Sequence, residues 1–216
     1  RSPGTLSVMG SAGTQTAGLA FFGFFNGSAN TTAAQEYNGT SWTAGGNGST
    51  ARRNLAGGGI QTAALAFGGF TTARSAVTEA YDGSTWSGGG NLSTARSSLG
   101  GAGLQTAGLA FGGTTTPGAA TNATEEYDGT TWTAGGNMVT ARSFVGSAGI
   151  QTAALAIGGA TTVAVDVTEE YNGASWTAGG SLNTTFSYVA SGSCGTQTAA
   201  LAFGLPSATE EYDGNS

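Results

Sequence analysis

Short apolar runs alternate with polar, glycine-containing turns along the whole chain. The runs are versions of QTAALAFGG, in which small and apolar residues are almost continuous, and they begin at Gln15, Gln61, Gln105, Gln151 and Gln197. A short continuous run bounded by turn residues is typical of a strand that is covered on both faces. The pattern therefore predicts buried strands, and no helix, in these segments.

A second recurring element is a tyrosine followed by Asp-Gly or Asn-Gly. In the fourth copy VTEEY precedes such a dipeptide and ASWTAG follows it, and each tryptophan lies five positions after its tyrosine. Asp-Gly and Asn-Gly are the strongest short-range hairpin signals because both residues tolerate a positive φ. We therefore predict that VTEEY and ASWTAG are the two strands of a hairpin.

The two elements recur together, so the chain consists of repeats. The five glutamines are 46, 44, 46 and 46 residues apart, which gives repeats of approximately 1–46, 47–90, 91–136, 137–180 and 181–216. ARSFVGSAG supplies one more strand before the apolar run of the fourth repeat. Four short strands in roughly 45 residues are the signature of a β-propeller blade. We predict an all-β protein, a β-propeller of four-stranded antiparallel blades.

The fifth repeat ends before its tryptophan strand. Its last residues read TEEYDGNS, and Arg1 aligns just after the TAGG of the other repeats. Three arrangements fit this pattern: five blades of which the last lacks its outer strand, a strand supplied by another chain, or a longer parent protein with six or more blades. Five blades are the simplest count.

Residues at fixed places in the repeat resemble the kelch repeat. Gly112-Gly113 ends the second strand, Tyr127 lies in the third and Trp132 in the fourth, and the resemblance covers essentially the whole chain. Phe22-Gly23 and Gly204-Leu205 depart from the glycine pair in the first and last repeats. The Ala/Gly/Thr-rich units also resemble repeats in proteins predicted to be structural components of bacteriophages.

The composition removes several classes of chemistry. The chain has no histidine and no lysine, and charged residues make up 8% of it. Serine and cysteine nucleophiles therefore have no histidine partner, and histidine metal sites are excluded, including the copper site of some kelch-like oxidases. Adjacent carboxylates such as Glu125 and Glu126 point to opposite faces of a strand, so they form no catalytic pair. We expect no enzymatic activity, no metal and no cofactor.

Charge and hydropathy also restrict the partners. A net charge of −6 with scattered arginines gives no basic stripe, so nucleic acid is not an expected partner. No apolar run approaches the roughly 20 residues of a membrane-spanning helix, so we expect no membrane insertion. Asp128 and its counterparts exchange with Asn172 in the same turn, which indicates a turn role and argues against calcium binding.

Arg52, Arg96 and Arg142 occupy the same place in three repeats, at the start of the predicted first strand. Leu6 and Phe186 take that place in the first and last repeats. Two interpretations stay open. The arginines form a ligand-binding ring at the rim beside the glycine pairs, or they form salt bridges with glutamates of the same or the next blade.

The connection between the second and third strands varies most. From the second glycine position to the tyrosine it spans 14, 12, 14, 12 and 7 positions in the five repeats. Phe24 and Phe25 lie in the first of these connections, where they are candidates either for core packing or for an exposed interface. Variable loops on a rigid scaffold are how such folds present binding surfaces.

These features predict a non-enzymatic structural or binding module that presents variable loops. The phage resemblance implies a virion component, such as a tail fibre, a spike or a capsid decoration, at an extracellular or virion surface. Its partners would be other virion proteins or a host-surface glycan or protein, and a homo-oligomer fits the same picture. A multivalent carbohydrate-binding lectin and a kelch-type protein-interaction scaffold remain alternatives.

Overall fold

The computed structural model describes residues 6–189, 194–205 and 207–214, with only the backbone of Leu6 and Cys194. Within these ranges the chain forms strands and turns and no helix. The first repeat contains β1 (Leu6–Ser7), β2 (Gly10–Gly13), β3 (Gly18–Phe21), β4 (Phe24–Phe25), β5 (Ala29–Asn30), β6 (Ala34–Tyr37) and β7 (Trp42–Ala44). The second contains β8 (Ala56–Ile60), β9 (Ala63–Phe67), β10 (Thr78–Tyr81) and β11 (Trp86–Gly88).

The later repeats follow the same plan. The third contains β12 (Gly100–Leu104), β13 (Ala107–Phe111), β14 (Thr124–Tyr127) and β15 (Trp132–Ala134). The fourth contains β16 (Gly146–Ile150), β17 (Ala153–Ile157), β18 (Thr168–Tyr171) and β19 (Trp176–Ala178). The fifth contains β20 (Tyr188–Val189), β21 (Cys194–Thr196), β22 (Ala199–Leu205) and β23 (Ala208–Tyr212).

Each of the first four repeats forms one four-stranded antiparallel sheet, in the orders β2-β3-β6-β7, β8-β9-β10-β11, β12-β13-β14-β15 and β16-β17-β18-β19. Successive inner strands contact one another from β2 through β8, β12 and β16 to β21, so the sheets are blades around a common axis. In the fifth blade β22 pairs with β21, β23 and β20. The outer strand, which would correspond to β19 of the fourth blade, does not follow β23 up to Gly214. The prediction of a five-bladed all-β propeller with an incomplete last blade is confirmed.

The first strand of each blade is shorter than the sequence pattern suggests. We expected the strand to include ARSFVGSAG, but β16 begins only at Gly146. Phe144 has a positive φ of 56°, which turns the chain out of the extended conformation. Before that turn, Ser143 pairs with Ala160 instead of with β17. In the first four blades the inner strand therefore starts after a left-handed residue, Val8, Asn54, Ser98 or Phe144.

Glycine lets the inner strands of neighbouring blades approach closely. A Cβ atom on Gly101 of β12 would lie 2.6 Å from the ring of Phe67 and 2.8 Å from Cβ of Ala56, both in the preceding blade. These separations are too short for non-bonded carbon atoms. A larger residue at Gly101 would therefore force the two blades apart.

Farther from the axis, tryptophan connects the second, third and fourth blades to the preceding blade, and glutamine connects the second to fifth. The ring of Trp132 packs 4.8 Å from the ring of Phe67, and its Nε1 donates a hydrogen bond of 2.9 Å to Oγ1 of Thr78. The side-chain amide of Gln105 donates to the carbonyls of Ala64 and Tyr81, at 3.1 and 2.6 Å. The same two carbonyl positions accept from the other interior glutamines, Gln61, Gln151 and Gln197. The repeated glutamine is therefore an inter-blade residue, a role that the sequence pattern alone did not reveal.

The aspartate or asparagine that directly follows the tyrosine of the repeat stabilises the turn with its side chain. Oδ1 of Asp128 accepts hydrogen bonds of 2.7 Å from the backbone N–H groups of Thr130 and Thr131. In the corresponding turn of the next blade, Asn172 accepts the equivalent bonds from the N–H groups of Ala174 and Ser175, at 3.0 and 2.9 Å. Since aspartate and asparagine both supply an acceptor oxygen, this explains why they exchange at this position.

Candidate functional site

The two faces of the propeller differ in what they carry. We call one the loop face, because it holds the variable connections between the second and third strands, residues 22–33, 68–77, 112–123 and 158–167. We call the other the hairpin face, because it holds the tight turns between the first and second strands, residues 14–17, 61–62, 105–106 and 151–152. The antiparallel order of the strands places every variable connection on one side.

An apolar cavity of about 470 Å³ lies on the axis at the loop face. Each blade contributes an apolar residue to its wall: Met9, Leu55, Leu99, Val145 and Val189. Phe203 of the fifth blade adds an aromatic ring, and none of the described lining residues carries a charge. The cavity can therefore accept an uncharged apolar group.

A ring of five equivalent residues surrounds the mouth of the cavity: Val8, Asn54, Ser98, Phe144 and Tyr188. The first four have positive φ values of 47°, 52°, 55° and 56°. This left-handed conformation is uncommon for residues other than glycine, and such strain tends to cluster at binding sites.

Backbone hydrogen bonds between blades hold the mouth ring in place. The N–H of Asn54 donates to the carbonyl of Val8, that of Ser98 to Asn54 and that of Phe144 to Ser98, at 2.8, 2.8 and 2.7 Å. The chain of bonds continues from Val189 N–H to the carbonyl of Phe144 at 3.2 Å. Because the backbone supplies these bonds, the side chains are free to differ from blade to blade.

Variation between repeats marks the mouth ring in the sequence. Its members lie two residues after the arginine position, and they are Val, Asn, Ser, Phe and Tyr between flanking residues that change little. Position-by-position variation within otherwise similar repeats marks a place where blades are not bound by a common packing role. The backbone strain itself depends on contacts between blades, so sequence periodicity could not indicate it.

The hairpin-face end of the axis offers few side chains with which to recognise a ligand. A second cavity there, of about 620 Å³, is lined chiefly by glycines of the inner strands, among them Gly58, Gly59 and Gly103. Thr14 and Gln15 supply polar side chains from the first blade. This end offers mostly backbone groups and little that distinguishes one blade from another.

Of the two interpretations of the arginines, the structure shows salt bridges with glutamates of the same blade and not an exposed ring. Arg52, Arg96 and Arg142 are all 0% exposed, and each pairs with a glutamate of its own blade. The partners are Glu79, Glu125 and Glu169, with N–O distances of 2.9 Å for the Arg96 pair and 3.0 Å for the Arg142 pair. The guanidinium groups lie inside the blades, so they are not available at the rim.

Each arginine connects three parts of its blade. Nη1 of Arg142 donates to the carbonyls of Gly158 and Val167, at 2.8 and 2.7 Å, while Nη2 donates to Glu169. These bonds tie the segment before the inner strand to both ends of the variable connection. Burial lowers the pKa of the Arg142 guanidinium, and the neighbouring Glu169 opposes that shift. The arginines thus help to fix the positions at which the variable connections leave and re-enter the blades.

Phe24 and Phe25 lie on the loop face, in β4. Phe25 is 40% exposed, whereas Phe24 is half-buried beneath the guanidinium of Arg53, which lies 4.8 Å from its ring. Arg53 also lies 4.9 Å from the ring of Phe70 and donates to Oδ1 of Asn30 at 2.9 Å. We call Phe24, Phe25, Arg53 and Phe70 the aromatic patch. It gives the first two blades an apolar surface with one cation near the axial mouth.

The second glutamate of each pair connects neighbouring blades. Tyr171 donates its hydroxyl hydrogen to Glu126 of the preceding blade, and Tyr212 donates to Glu170 at 2.8 Å. The first glutamate instead faces the buried arginine, so adjacent carboxylates point to opposite faces of the strand as predicted. Burial, followed by the hydrogen bond to Glu126, raises the pKa of Tyr171 to about 12.

This shift predicts a loss of stability at alkaline pH. An unfolded tyrosine ionises near pH 10, whereas folded Tyr171 keeps its proton to about pH 12, so stability falls between those values. Below about pH 10 both states are protonated and Tyr171 causes no pH dependence. Urea unfolding measured from pH 9 to 12 tests this. Tyr171→Phe should show a shallower decline than the wild type, and equal declines would contradict the assignment.

No protein-family model matches the chain, and no curated protein matches its sequence. In the part of the chain that the structure describes, no group of three or more His, Cys, Asp or Glu residues is arranged to hold a metal ion. No helix in the same part is long and apolar enough to cross a membrane.

Proposed function

We propose that the protein is a binding module without enzymatic activity and that it binds its partner through the loop face. The observation that carries this proposal is the axial cavity, which opens among the variable loops and is ringed by five different side chains. A rigid, repetitive scaffold with its variation concentrated around one concave site is the usual design of a recognition surface.

The size and chemistry of the site indicate what it binds. A volume of about 470 Å³ lies within the range of ligand pockets, and its described wall carries no charge. The mouth adds Phe144 and Tyr188, whose rings lie 4.1 Å apart. We infer that an uncharged apolar or aromatic group of a larger partner enters the cavity while the partner's surface contacts the loops.

The remaining acidic groups support a non-enzymatic role. Glu125 and Glu169 are paired with arginines inside the blades, and Glu126 accepts the Tyr171 hydroxyl hydrogen. A general acid or base needs to reach the proton of a bound substrate, and these carboxylates lie away from the axial cavity. The chain also has no histidine, the commonest general base.

We further propose, from the kelch-like pattern and the resemblance to phage repeats, that the module is a virion component exposed at the particle surface. The absence of lysine and the low charge support a protease-resistant surface role. A tail fibre, spike or capsid decoration that contacts a host-surface glycan or protein, or another virion protein, fits this reading.

The binding proposal is tested with panels of host-surface glycans and proteins, followed by mass analysis of every retained compound. We expect retention without chemical change. Tyr188→Ala, at the mouth, should weaken binding roughly tenfold or more. Leu104→Ala is the matched control, because Leu104 is similarly exposed but lies at the hairpin-face end of β12. Turnover of a bound compound, or equal loss in both variants, would contradict the proposal.

A further inference from the structure

The interface between the fifth and first blades differs from the four others. Trp42 is 52% exposed, whereas its counterparts Trp132 and Trp176 are 8% and 5% exposed. Phe203 of the fifth blade is only half-buried, although its counterpart Phe67 is completely buried by the following blade. The two blades therefore leave uncovered the aromatic groups that are sealed elsewhere.

Two polar connections of the other interfaces are also absent between the described residues of these two blades, those of the glutamine and of the threonine. Gln15 is exposed and donates to no carbonyl within the described part of the chain, while each of the four later glutamines donates to two carbonyls of the preceding blade. Thr209 is exposed, whereas its counterpart Thr124 is buried and accepts a hydrogen bond of 2.9 Å from Trp176. Both sides of the interface thus present groups without their usual partners.

The two uncovered surfaces are complementary to each other. We define the first-blade surface as Gln15, Tyr37 and Trp42, and the fifth-blade surface as the carbonyls of Ala200 and Tyr212 with Phe203, Thr209 and Glu211. Each group on one surface has a partner on the other of the kind that it contacts between two other blades. The ring of Phe203 corresponds to the ring that packs against a tryptophan, and the Thr209 hydroxyl to the acceptor of the indole N–H. The two carbonyls correspond to the acceptors of a glutamine amide, and Glu211 to the acceptor of a tyrosine hydroxyl hydrogen.

We propose that these surfaces join separate copies of this chain, with the first-blade surface of one copy bound to the fifth-blade surface of the next. The occupant is a second copy because the interfaces inside this chain already join surfaces of the same kind: all four make the glutamine bonds, and three also pack a tryptophan against an aromatic ring of the preceding blade. The contact is heterologous, since different surfaces meet, so it produces a ring if the rotation closes and a filament if it does not. The proposal does not depend on binding at the loop face.

Sedimentation of the full chain over a range of concentrations tests this association. The wild type should change from a 21 kDa monomer to larger species as concentration rises. Trp42→Ala removes the central residue of the first-blade surface, and Thr209→Arg places a charge in the fifth-blade surface. Both side chains are exposed in the free chain, so both variants should fold, which their circular dichroism and melting curves would verify.

Mixing the two variants gives the decisive result. Each variant alone lacks one of the two surfaces and should stay monomeric. A mixture contains one intact surface of each kind, so it should form a one-to-one dimer that cannot grow further. A wild type that remains monomeric at every concentration, variants that still associate, or a mixture that fails to dimerise would each overturn the proposal. Closure of the ring within one chain would give the first of these results.

Discussion

Arg142→Leu is expected to lower the free energy of unfolding by about 3–5 kcal/mol. The substitution leaves Glu169 as a buried charge, 2% exposed, without its counter-ion. It also removes the donors to the carbonyls of Gly158 and Val167. Urea unfolding followed by circular dichroism measures the change.

The first repeat provides a natural control for this experiment. Leu6 and Gln35 stand there in place of the arginine and the glutamate, so that blade has neither charge. The double variant Arg142→Leu, Glu169→Gln copies this arrangement and should recover a large part of the loss, because no unpaired charge stays buried. A double variant as unstable as Arg142→Leu alone would show that the backbone bonds, and not the ion pair, carry the effect.

Trp132→Ala should cost about 3–5 kcal/mol, since it removes a large buried side chain between two blades. The indole contacts the rings of Phe67 and Tyr127, at 4.8 and 4.9 Å, and its N–H bond to Thr78 is lost as well. Thermal and urea unfolding of the variant give the magnitude.

Trp42→Ala is the matched control for the inter-blade position. Trp42 has the same place in its repeat but is 52% exposed, so its removal from the monomer should cost far less than that of Trp132. The comparison should be made at a concentration where the wild type is monomeric. Equal losses at the two positions would show that the first blade is sealed like the others.

Much of the fold could be predicted because the repeats contain the same buried strand and the same hairpin turn. The Asp-Gly and Asn-Gly turns and the buried QTAALAFGG strand follow from residue types and spacing. The fixed spacing of the tryptophan located the fourth strand, and the structure adds that Trp132 packs against Phe67 of the preceding blade.

The candidate site was harder to predict because it depends on contacts between repeats. The sequence left two interpretations of the arginines open, since their glutamate partners lie 27 to 29 residues away and the two residue types do not vary together in every repeat. In the first repeat both charges are in fact absent, but in the fifth Glu210 stays without an arginine and accepts from Asn183 instead. The left-handed mouth residues depend on hydrogen bonds from one blade to the next, which no single repeat encodes.

The fifth blade shows how replacing one glycine of the repeat lengthens a strand. Leu205 replaces the second glycine, which in Gly69 has a φ of 107°. A leucine is strained in that conformation, so the chain does not turn and β22 continues to Leu205, two residues beyond the end of β9 in the second blade. The sequence departure was visible, but its extension of the strand follows only from the geometry of the turn.

The most direct test of the account is to exchange structural parts on the two faces and measure the affinity for a partner retained in the binding panels. Replacing residues 114–123 of the third blade by residues 160–167 of the fourth changes one variable connection on the loop face. Replacing residues 128–131 by residues 172–175 exchanges a turn on the hairpin face that makes the same backbone hydrogen bonds. We predict a roughly tenfold or greater change in Kd for the first exchange and none for the second. The reverse result, or no difference between the exchanges, would contradict binding through the loop face.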